Sequence, residues 1–175
     1  MRDYKEFYRE AKGDLPRIYC DMDGVLCDFI VQAKKATGVI FTQDKAKEHW
    51  DVIKKYPKFW SNMPWMPGGK QLWNYINKYK PHILSAYTIE DPNCIPGKNT
   101  WLRRNVSVSS SNINLVRRRD KRNFAMKSSG TRRPAILIDD FKNNINEFRA
   151  AGGIGIHHTS TSKTISELKK LGFDK

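Results

Sequence analysis

Cysteine is scarce in this chain, and the three that occur, Cys20, Cys27 and Cys94, are odd in number and lack paired spacing. That excludes a disulfide framework and a thiolate zinc site, and leaves reduced thiols whose natural place is among small buried hydrophobes. Long apolar runs are missing as well: no stretch approaches the ~20 residues needed to span a bilayer, so no membrane segment is expected. The opening residues, Met1 to Glu6, mix charges and lack the apolar stretch of a secretory signal, which makes the cytoplasm the expected location. No internal repeat is visible. Acidic residues are also in deficit, with 18 Asp and Glu against 32 Lys and Arg, a formal net charge of +14.

What is present is a globular composition, 39% apolar and 29% charged, in 175 residues, enough for one buried core with a modest insertion and too little for two ordinary domains. The basic surplus is concentrated. From Lys98 to Arg133 eleven basic residues (Lys98, Arg103, Arg104, Arg117, Arg118, Arg119, Lys121, Arg122, Lys127, Arg132 and Arg133) stand against a single acid, Asp120. A field of that sign attracts polyanions and raises their encounter rate, so nucleotides and nucleic acids are the partners to consider. The competing reading is a solvated basic face that only aids solubility.

Apolar periodicity gives an alternating order of elements. Residues 1–15 place Tyr4, Phe7 and Tyr8 at helical spacing before Gly13, which predicts a short helix or arm. Ile18-Tyr19-Cys20 is a strand, Phe29, Ile30, Val31 and Ala33 begin a helix that stops at Gly38, and Asp44 to Lys55 is another with Trp50 and Ile53 on one side. Phe59, Trp60, Trp65 and Met66 then sit among Pro57, Pro64 and Pro67-Gly68-Gly69, which is turn chemistry. Leu72, Tyr75, Ile76 and Tyr79 fall at i, i+3, i+4 and i+7 and predict an amphipathic helix over 69–80. A strand over 81–84 follows, then a helix around Lys98 to Arg104, strands at Ile113 to Val116 and Ala135 to Ile138, a helix from Asn143 to Ala151 closed by Gly152-Gly153, and a strand at Ile154 to Ile156. Thr164-Ile165-Ser166-Glu167 has the form of a capping box and predicts the start of a last helix with Ile165, Leu168 and Leu171 inward. Strands alternating with helices predict an α/β fold, Rossmann-like, with a parallel sheet flanked by helices on both faces. Residues 30–63 add helices and aromatics without a clear strand, and are read as a small helical cap inserted after the first strand into a core of residues 1–29 and 64–175.

Two of the predicted strands end in carboxylates. Ile18-Tyr19-Cys20 runs into Asp21-Met22-Asp23-Gly24-Val25-Leu26, and Ala135-Ile136-Leu137-Ile138 runs into Asp139-Asp140. Ligands in open α/β sheets collect at the carboxyl ends of parallel strands, so both acidic pairs can share one crevice. Carboxylates packed that closely need a cation, and a few hard oxygen ligands suit Mg²⁺ that also grips a substrate phosphate.

Asp21-Met22-Asp23-Gly24-Val25 after a strand, Ser85 after the next core strand, a lysine in the basic segment and Ile138-Asp139-Asp140 resemble, in that order, the four motifs of haloacid dehalogenase-like (HAD) phosphohydrolases. Within that superfamily the string from Asp21 to Phe29, the insertion after it and Leu137-Ile138-Asp139-Asp140 look most like the 5′(3′)-deoxyribonucleotidases and their phage and bacterial relatives. The resemblance implies Asp21 as the nucleophile that forms an aspartyl-phosphate and Asp23 as the acid and base. It implies Mg²⁺ held by Asp139 and Asp140 together with the Asp21 side chain and the Asp23 backbone carbonyl, with Asp140 favoured as the closer ligand. Ser85 matches a hydroxyl that bonds a phosphate oxygen, although the family's Thr-Ser is Ser85-Ala86 here, one hydroxyl fewer. Lys121, within Arg119-Asp120-Lys121, resembles the family's Arg-Asp-Lys and is favoured for the charge-neutralising lysine, with Lys127 as its competitor because the interval to Asp139 is long.

Substrate choice is expected from the cap. Phe29 matches an aromatic that stacks on the base in the deoxyribonucleotidases, and Phe59-Trp60 resembles their paired aromatics, while each of these rings also suits plain core. Lys98 and Arg103 are further candidates to reach phosphate. His82, His157 and His158 lie in or beside strands and are assigned structural roles. The resemblance thus implies a Mg²⁺-dependent phosphomonoesterase acting on nucleoside monophosphates. Two other readings stand beside it: a phosphatase acting on the 3′ or 5′ ends of DNA or RNA through the segment 98–133, and a nucleic-acid-binding module with an inert site. These motifs do not encode base preference, 3′ against 5′ selectivity or oligomeric state.

Overall fold

Five short apolar runs become the strands of one parallel sheet. A computed structural model describes residues 15–38, 40–128 and 131–174, so the helix or arm expected over 1–15 lies, but for Leu15, outside the described residues. In chain order the elements are β1 (Ile18–Cys20), α1 (Phe29–Thr37), α2 (Ala46–Ile53), α3 (Gly69–Asn77), β2 (His82–Ala86), α4 (Cys94–Asn105), β3 (Ile113–Val116) and β4 (Lys127–Ser128). There follow β5 (Thr131–Arg132), β6 (Ile136–Asp139), α5 (Lys142–Ala150), β7 (Ile154–His157) and α6 (Thr161–Lys170), with 3₁₀ helices at Trp60–Asn62, Ser110–Asn112 and Arg118–Phe124.

The sheet runs β3-β2-β1-β6-β7, and β4 and β5 form a separate two-residue antiparallel pair. The chain moves outward from β1 to β3 and then returns to the other side of β1, so the strand order reverses between β1 and β6. At such a reversal the connections part to opposite faces and leave a crevice at the carboxyl ends. Register places Cys20 beside Ile138, and the pairing continues one step, with Asp21 N donating to Ile138 O at 3.0 Å. Backbone pairing alone therefore sets Asp21 next to Asp139.

Alternation along each strand divides the core into two layers. Ile18, Cys20, Ile83, Ile136 and Ile138 point to one face, where they meet Leu72 and Ile76 of α3, Trp101 and Leu102 of α4 and Leu168 of α6. Tyr19, Leu84 and Leu137 point to the other and pack on Ile145 and Phe148 of α5. Leu72, Ile76, Ile145 and Phe148 are all fully buried, which is worth about 1.5–3 kcal/mol for each side chain. The sheet is covered on both faces, as the alternation of strands and helices predicts.

Residues 30–63 contain the rest of α1, all of α2 and one 3₁₀ turn, and among the described residues no strand. Asp28 caps α1 by accepting from Val31 N at 2.9 Å, and Gly38, at φ 78°, closes it by donating to Lys34 O.

Three local expectations are corrected. α4 begins at Cys94, well before Lys98, because Pro96 lies in the first turn where its missing N–H costs nothing. Gly97 then lets the helix approach the 3₁₀ turn, since a Cβ there would lie 2.5 Å from Trp60 Cβ. The last helix opens at Thr161 rather than at the Thr164 capping box: Ser160 is the cap, and its hydroxyl accepts from Lys163 N at 3.3 Å. Thr164 instead turns inward and bonds His158 Nδ1 at 2.8 Å. Finally, β4 and β5 are too short for any periodic pattern to announce them. All three cysteines are buried and free, and among the described residues no helix is long and apolar enough to cross a membrane.

Candidate active site

The loop after β1 is folded around one carbonyl. Met22 is fully buried, and its oxygen accepts from Val25 N, Leu26 N and Cys27 N at 2.8 to 3.1 Å, which turns the chain sharply and leaves Asp21 and Asp23 facing the crevice. Glycine is required at position 24 for two reasons: φ is +77°, and a Cβ would fall 2.1 Å from Asp140 Oδ2. The close approach of loop and second acidic pair is thus written into a single residue.

Lys121 joins the two pairs. The 3₁₀ helix after β3 carries it into the interior, where its Nζ lies 3.0 Å from Asp21 Oδ2 and 2.7 Å from Asp139 Oδ2. Asp139 also accepts from Asn144 Nδ2 at 2.9 Å and from Phe141 N at 2.8 Å, so its oxygens are engaged on both sides. Asp140 differs: its carboxylate opens into the cavity. Lys127, the competitor, lies on the surface in β4 with its Nζ 4.5 Å from the Phe124 ring centre, so the geometry selects Lys121 for the site.

Lys98 anchors the other side. Its ammonium is fully buried and donates to Asp23 Oδ2 at 2.6 Å, Ser85 Oγ at 3.0 Å and Ala86 O at 2.7 Å, which uses all three of its N–H groups. It also lies 5.2 Å from the Trp60 ring centre. Ser85 is equally buried, and its hydroxyl bonds Asp21. Neither Lys98 nor Ser85 forms part of the cavity wall, so the expected phosphate contacts become contacts to the acids. Arg103, further along α4, donates to Thr100 on the surface and lies outside the cavity wall.

Electrostatics follow from these pairs. Burial alone would raise the Asp21 carboxyl, but Lys121 and then Lys98 overcome it and hold Asp21 below the ordinary value, so it is ionised. Burial would likewise lower Lys121 and Lys98, and their aspartates raise both instead. Asp139 is raised, first by burial and then by Asp21. Asp140 is open to the cavity at its tip yet lies deep among other groups, and desolvation followed by repulsion from Asp21 and Asp139 pushes it up to about 7. Asp21, Asp139 and Asp140 each offer an oxygen within 4.8 Å of the others, an arrangement able to hold a cation.

Above this floor is a cavity of about 1090 Å³. Residues 29–60 supply Phe29, Ile30, Val31, Phe41, Trp50 and Trp60; later segments supply Tyr87, Arg117, Arg118, Arg119 and Phe141. Phe29 and Trp60 thus reach the cavity, whereas Phe59 is buried behind them. Trp60 donates its indole N–H to buried Asp91 at 2.7 Å. His157 bonds Asp140 O and His158 bonds Thr164, both bracing the fold. Sequence reasoning missed Asn144 and Asp91. For Asn144 a signal existed, an amide five residues beyond an acid that ends a strand; Asp91 sits in a turn with no pattern around it.

The chain matches no protein-family model, and no curated protein matches it in sequence. Solved structures do match. A hydrolase from Streptococcus pneumoniae TIGR4 superimposes with a TM-score of 0.56 at 11% identity, covering 90% of this chain and 100% of that one. A hydrolase from Pseudomonas syringae gives 0.51 at 17% identity, covering 90% of each chain. The chain has the fold of these hydrolases.

Proposed function

We propose that the chain is a Mg²⁺-dependent phosphomonoesterase of the haloacid dehalogenase-like kind, acting on nucleoside monophosphates, deoxyribonucleotides foremost. The observation that carries this reading is Asp21: an ionised carboxylate on the floor of a cavity, 3.0 Å from Lys121 and grouped with Asp139 and Asp140.

The residues fit a hard dication. Four carboxylates, Asp21, Asp23, Asp139 and Asp140, meet two ammonium groups, Lys98 and Lys121, leaving two negative charges without a partner in the cluster. The upward push on Asp140 comes first from desolvation and then from repulsion by Asp21 and Asp139, and only the second part reflects that excess. Mg²⁺ held by Asp21, Asp139 and Asp140 would neutralise the phosphoryl oxygens and the acids around them. Asp140, which faces the cavity, would be the closer ligand, while Asp139 also holds Lys121.

Asp21 Oδ attacks phosphorus, the ester P–O bond breaks, and its electron pair leaves on the alcohol oxygen, which takes a proton from Asp23. Asp23 then accepts a proton from water as the water oxygen attacks the aspartyl-phosphate. The bond between phosphorus and Asp21 breaks, and phosphate and the free carboxylate are restored. Lys121 balances charge on Asp21 throughout, and Lys98 fixes the direction of Asp23. The cap rings exclude water and give the base an apolar wall.

The test is phosphate release from a panel of nucleoside 5′- and 3′-monophosphates with Mg²⁺, with Asp21→Asn as control. Activity that requires Asp21 and is lost on chelation is expected. If no phosphomonoester in the panel, free or on an oligonucleotide, releases phosphate, the reading falls.

A further inference from the structure

The reaction described above uses no arginine, yet three consecutive arginines line the cavity. Arg117, Arg118 and Arg119 lie where β3 passes into the 3₁₀ helix that delivers Lys121. In a 3₁₀ helix residues i and i+3 eclipse, so Arg118 projects on the same side as Lys121, about 6 Å further back along the axis. The guanidinium of Arg118 is stacked 4.7 Å from the Phe141 ring centre, and that of Arg117 lies 5.7 Å from the Tyr87 ring centre. Their bearings are therefore set by aromatic planes and not by acids. Among the described residues neither has a carboxylate within ion-pairing distance, and Arg119 has only its neighbour Asp120, at 3.9 Å.

This differs from the floor, where Lys98 and Lys121 are already engaged by Asp23, Asp21 and Asp139. Two unpaired guanidiniums held at the mouth of a site are an anion receptor in their own right, and arginine stacked on an aromatic ring is suited to phosphate. The cavity, about 1090 Å³, is at the large end of the ~300–1,000 Å³ typical of ligand sites and leaves room beyond a single nucleotide.

We infer that Arg117 and Arg118 form a second phosphate subsite, which holds the phosphodiester next to the scissile monoester when the substrate is the phosphorylated end of a single nucleic-acid strand. This rests on the phosphomonoesterase reading and extends it from the free nucleotide to the same nucleotide at the end of a strand, where the second phosphate adds binding. The terminal base enters the cap wall, its terminal phosphate meets Asp21, and the next phosphate meets the guanidiniums. Tyr87 and Phe141 border the path by which the strand leaves. The excess of ten positive charges over residues 98–133 draws such a strand in.

The experiment compares a nucleoside monophosphate, a nucleoside 3′,5′-bisphosphate and short single-stranded oligonucleotides phosphorylated at the 3′ or the 5′ end. It uses the full chain and its Arg117→Gln/Arg118→Gln variant. For the wild type, kcat/KM on one phosphorylated oligonucleotide is expected to exceed that on the mononucleotide at least ~10-fold, and the variant is expected to lose most of this advantage. The bisphosphate distinguishes the source of the second phosphate: matching the oligonucleotide, it shows that one extra phosphate suffices, and falling short, that the strand contributes.

Binding is measured separately in Asp21→Asn protein. The logarithmic salt dependence of oligonucleotide affinity should flatten by about 0.7, for the one phosphate that the two arginines hold. The inference is overturned if mononucleotide and oligonucleotide are cleaved equally well, or if the arginine variant slows both by the same factor. It is also overturned if the salt dependence is unmoved, or if an oligonucleotide without its terminal phosphate binds as tightly as one with it. Failure of the wild type to cleave anything would instead remove the phosphatase reading, and the salt dependence would still judge the arginines.

Discussion

The floor and the cap wall of the same cavity are built on opposite principles. On the floor the charged groups other than Asp140 have named partners: three for the Lys98 ammonium, two for Lys121, and three donors on Asp139. The bonds are short, directional and contributed by six segments, from the loop after β1 to α5, so these groups stand in one arrangement. In the cap, Phe29, Phe41, Trp50, Phe59 and Trp60 meet ring to ring at 5.0 to 6.0 Å, and the directional bond among them is the one from Trp60 to Asp91. Edge and tilted ring contacts are each worth about 0.5–1.5 kcal/mol and tolerate several geometries. The floor is held rigid by electrostatics, and the aromatic wall is a surface that can repack.

If that division is right, substitutions on the floor should collapse turnover and those in the cap should alter affinity. The largest effect is expected from Asp21→Asn, which removes the attacking oxygen and should lower kcat by ~10⁴-fold or more while substrate still binds. A variant retaining a tenth of the activity would mean that Asp21 is not the nucleophile. Lys121→Met comes next, because it breaks the contrast in another way: two buried aspartates lose their shared cation. Loss of ~3–5 kcal/mol of stability is expected, with kcat down by ~10²–10³-fold. Adding Asp139→Asn should return part of the stability and none of the activity, measured by denaturant unfolding and by phosphate release. Return of both would make Lys121 merely structural.

Cap substitutions should be milder. Trp50 stacks on Trp60 at an interplanar angle of 20° with centroids 6.0 Å apart, and both line the cavity. Trp50→Ala should raise KM for a nucleotide ~5- to 100-fold, the equivalent of ~1–3 kcal/mol of lost stacking, and change kcat by less than about threefold. A reversed pattern, with kcat falling and KM constant, would show that the cap shapes the reacting geometry after all.

The same contrast decides what was legible in the sequence. The grouping of the acids with Lys121 was, because two strand-end acidic pairs and the Arg119-Asp120-Lys121 triplet leave fixed intervals, and parallel pairing converts intervals into neighbours. Lys98 was legible as a candidate to reach phosphate, but not as a partner of the acids. Its burial between Asp23 and Ser85 depends on α4 starting at Cys94 and packing through Gly97 onto Trp60, a tertiary event that no local spacing encodes. The cap aromatics were legible as residues but not as surfaces, since Phe59 and Trp60 are adjacent in sequence and only Trp60 reaches the cavity. The start of α6 was misplaced because Ser160 and Thr164 carry equivalent capping chemistry, and only the pull of His158 on Thr164 separates them.

The smallest expected effect is thermal, and it tests the charge excess on the floor without touching a residue. Asp140 in the folded chain lies near 7, above the 3.8 of an ordinary aspartate. With the folded value raised, the proton favours the folded state. Metal-free stability should therefore fall as pH rises between those two values and level off above 7, the opposite of the usual aspartate. Mg²⁺ needs the ionised form, so its affinity should be roughly tenfold weaker at pH 6 than at pH 8. At a fixed, near-saturating Mg²⁺ concentration and matched ionic strength, the rise in Tm over a chelated sample should thus be about 3–6 °C smaller at pH 6 than at pH 8. Asp140→Asn should remove most of that pH dependence while leaving the Asp21 and Lys121 pair in place. Equal shifts at the two pH values in the wild type would mean that Asp140 is not among the ligands, and the cation would then have to rest on Asp21 and Asp139 alone.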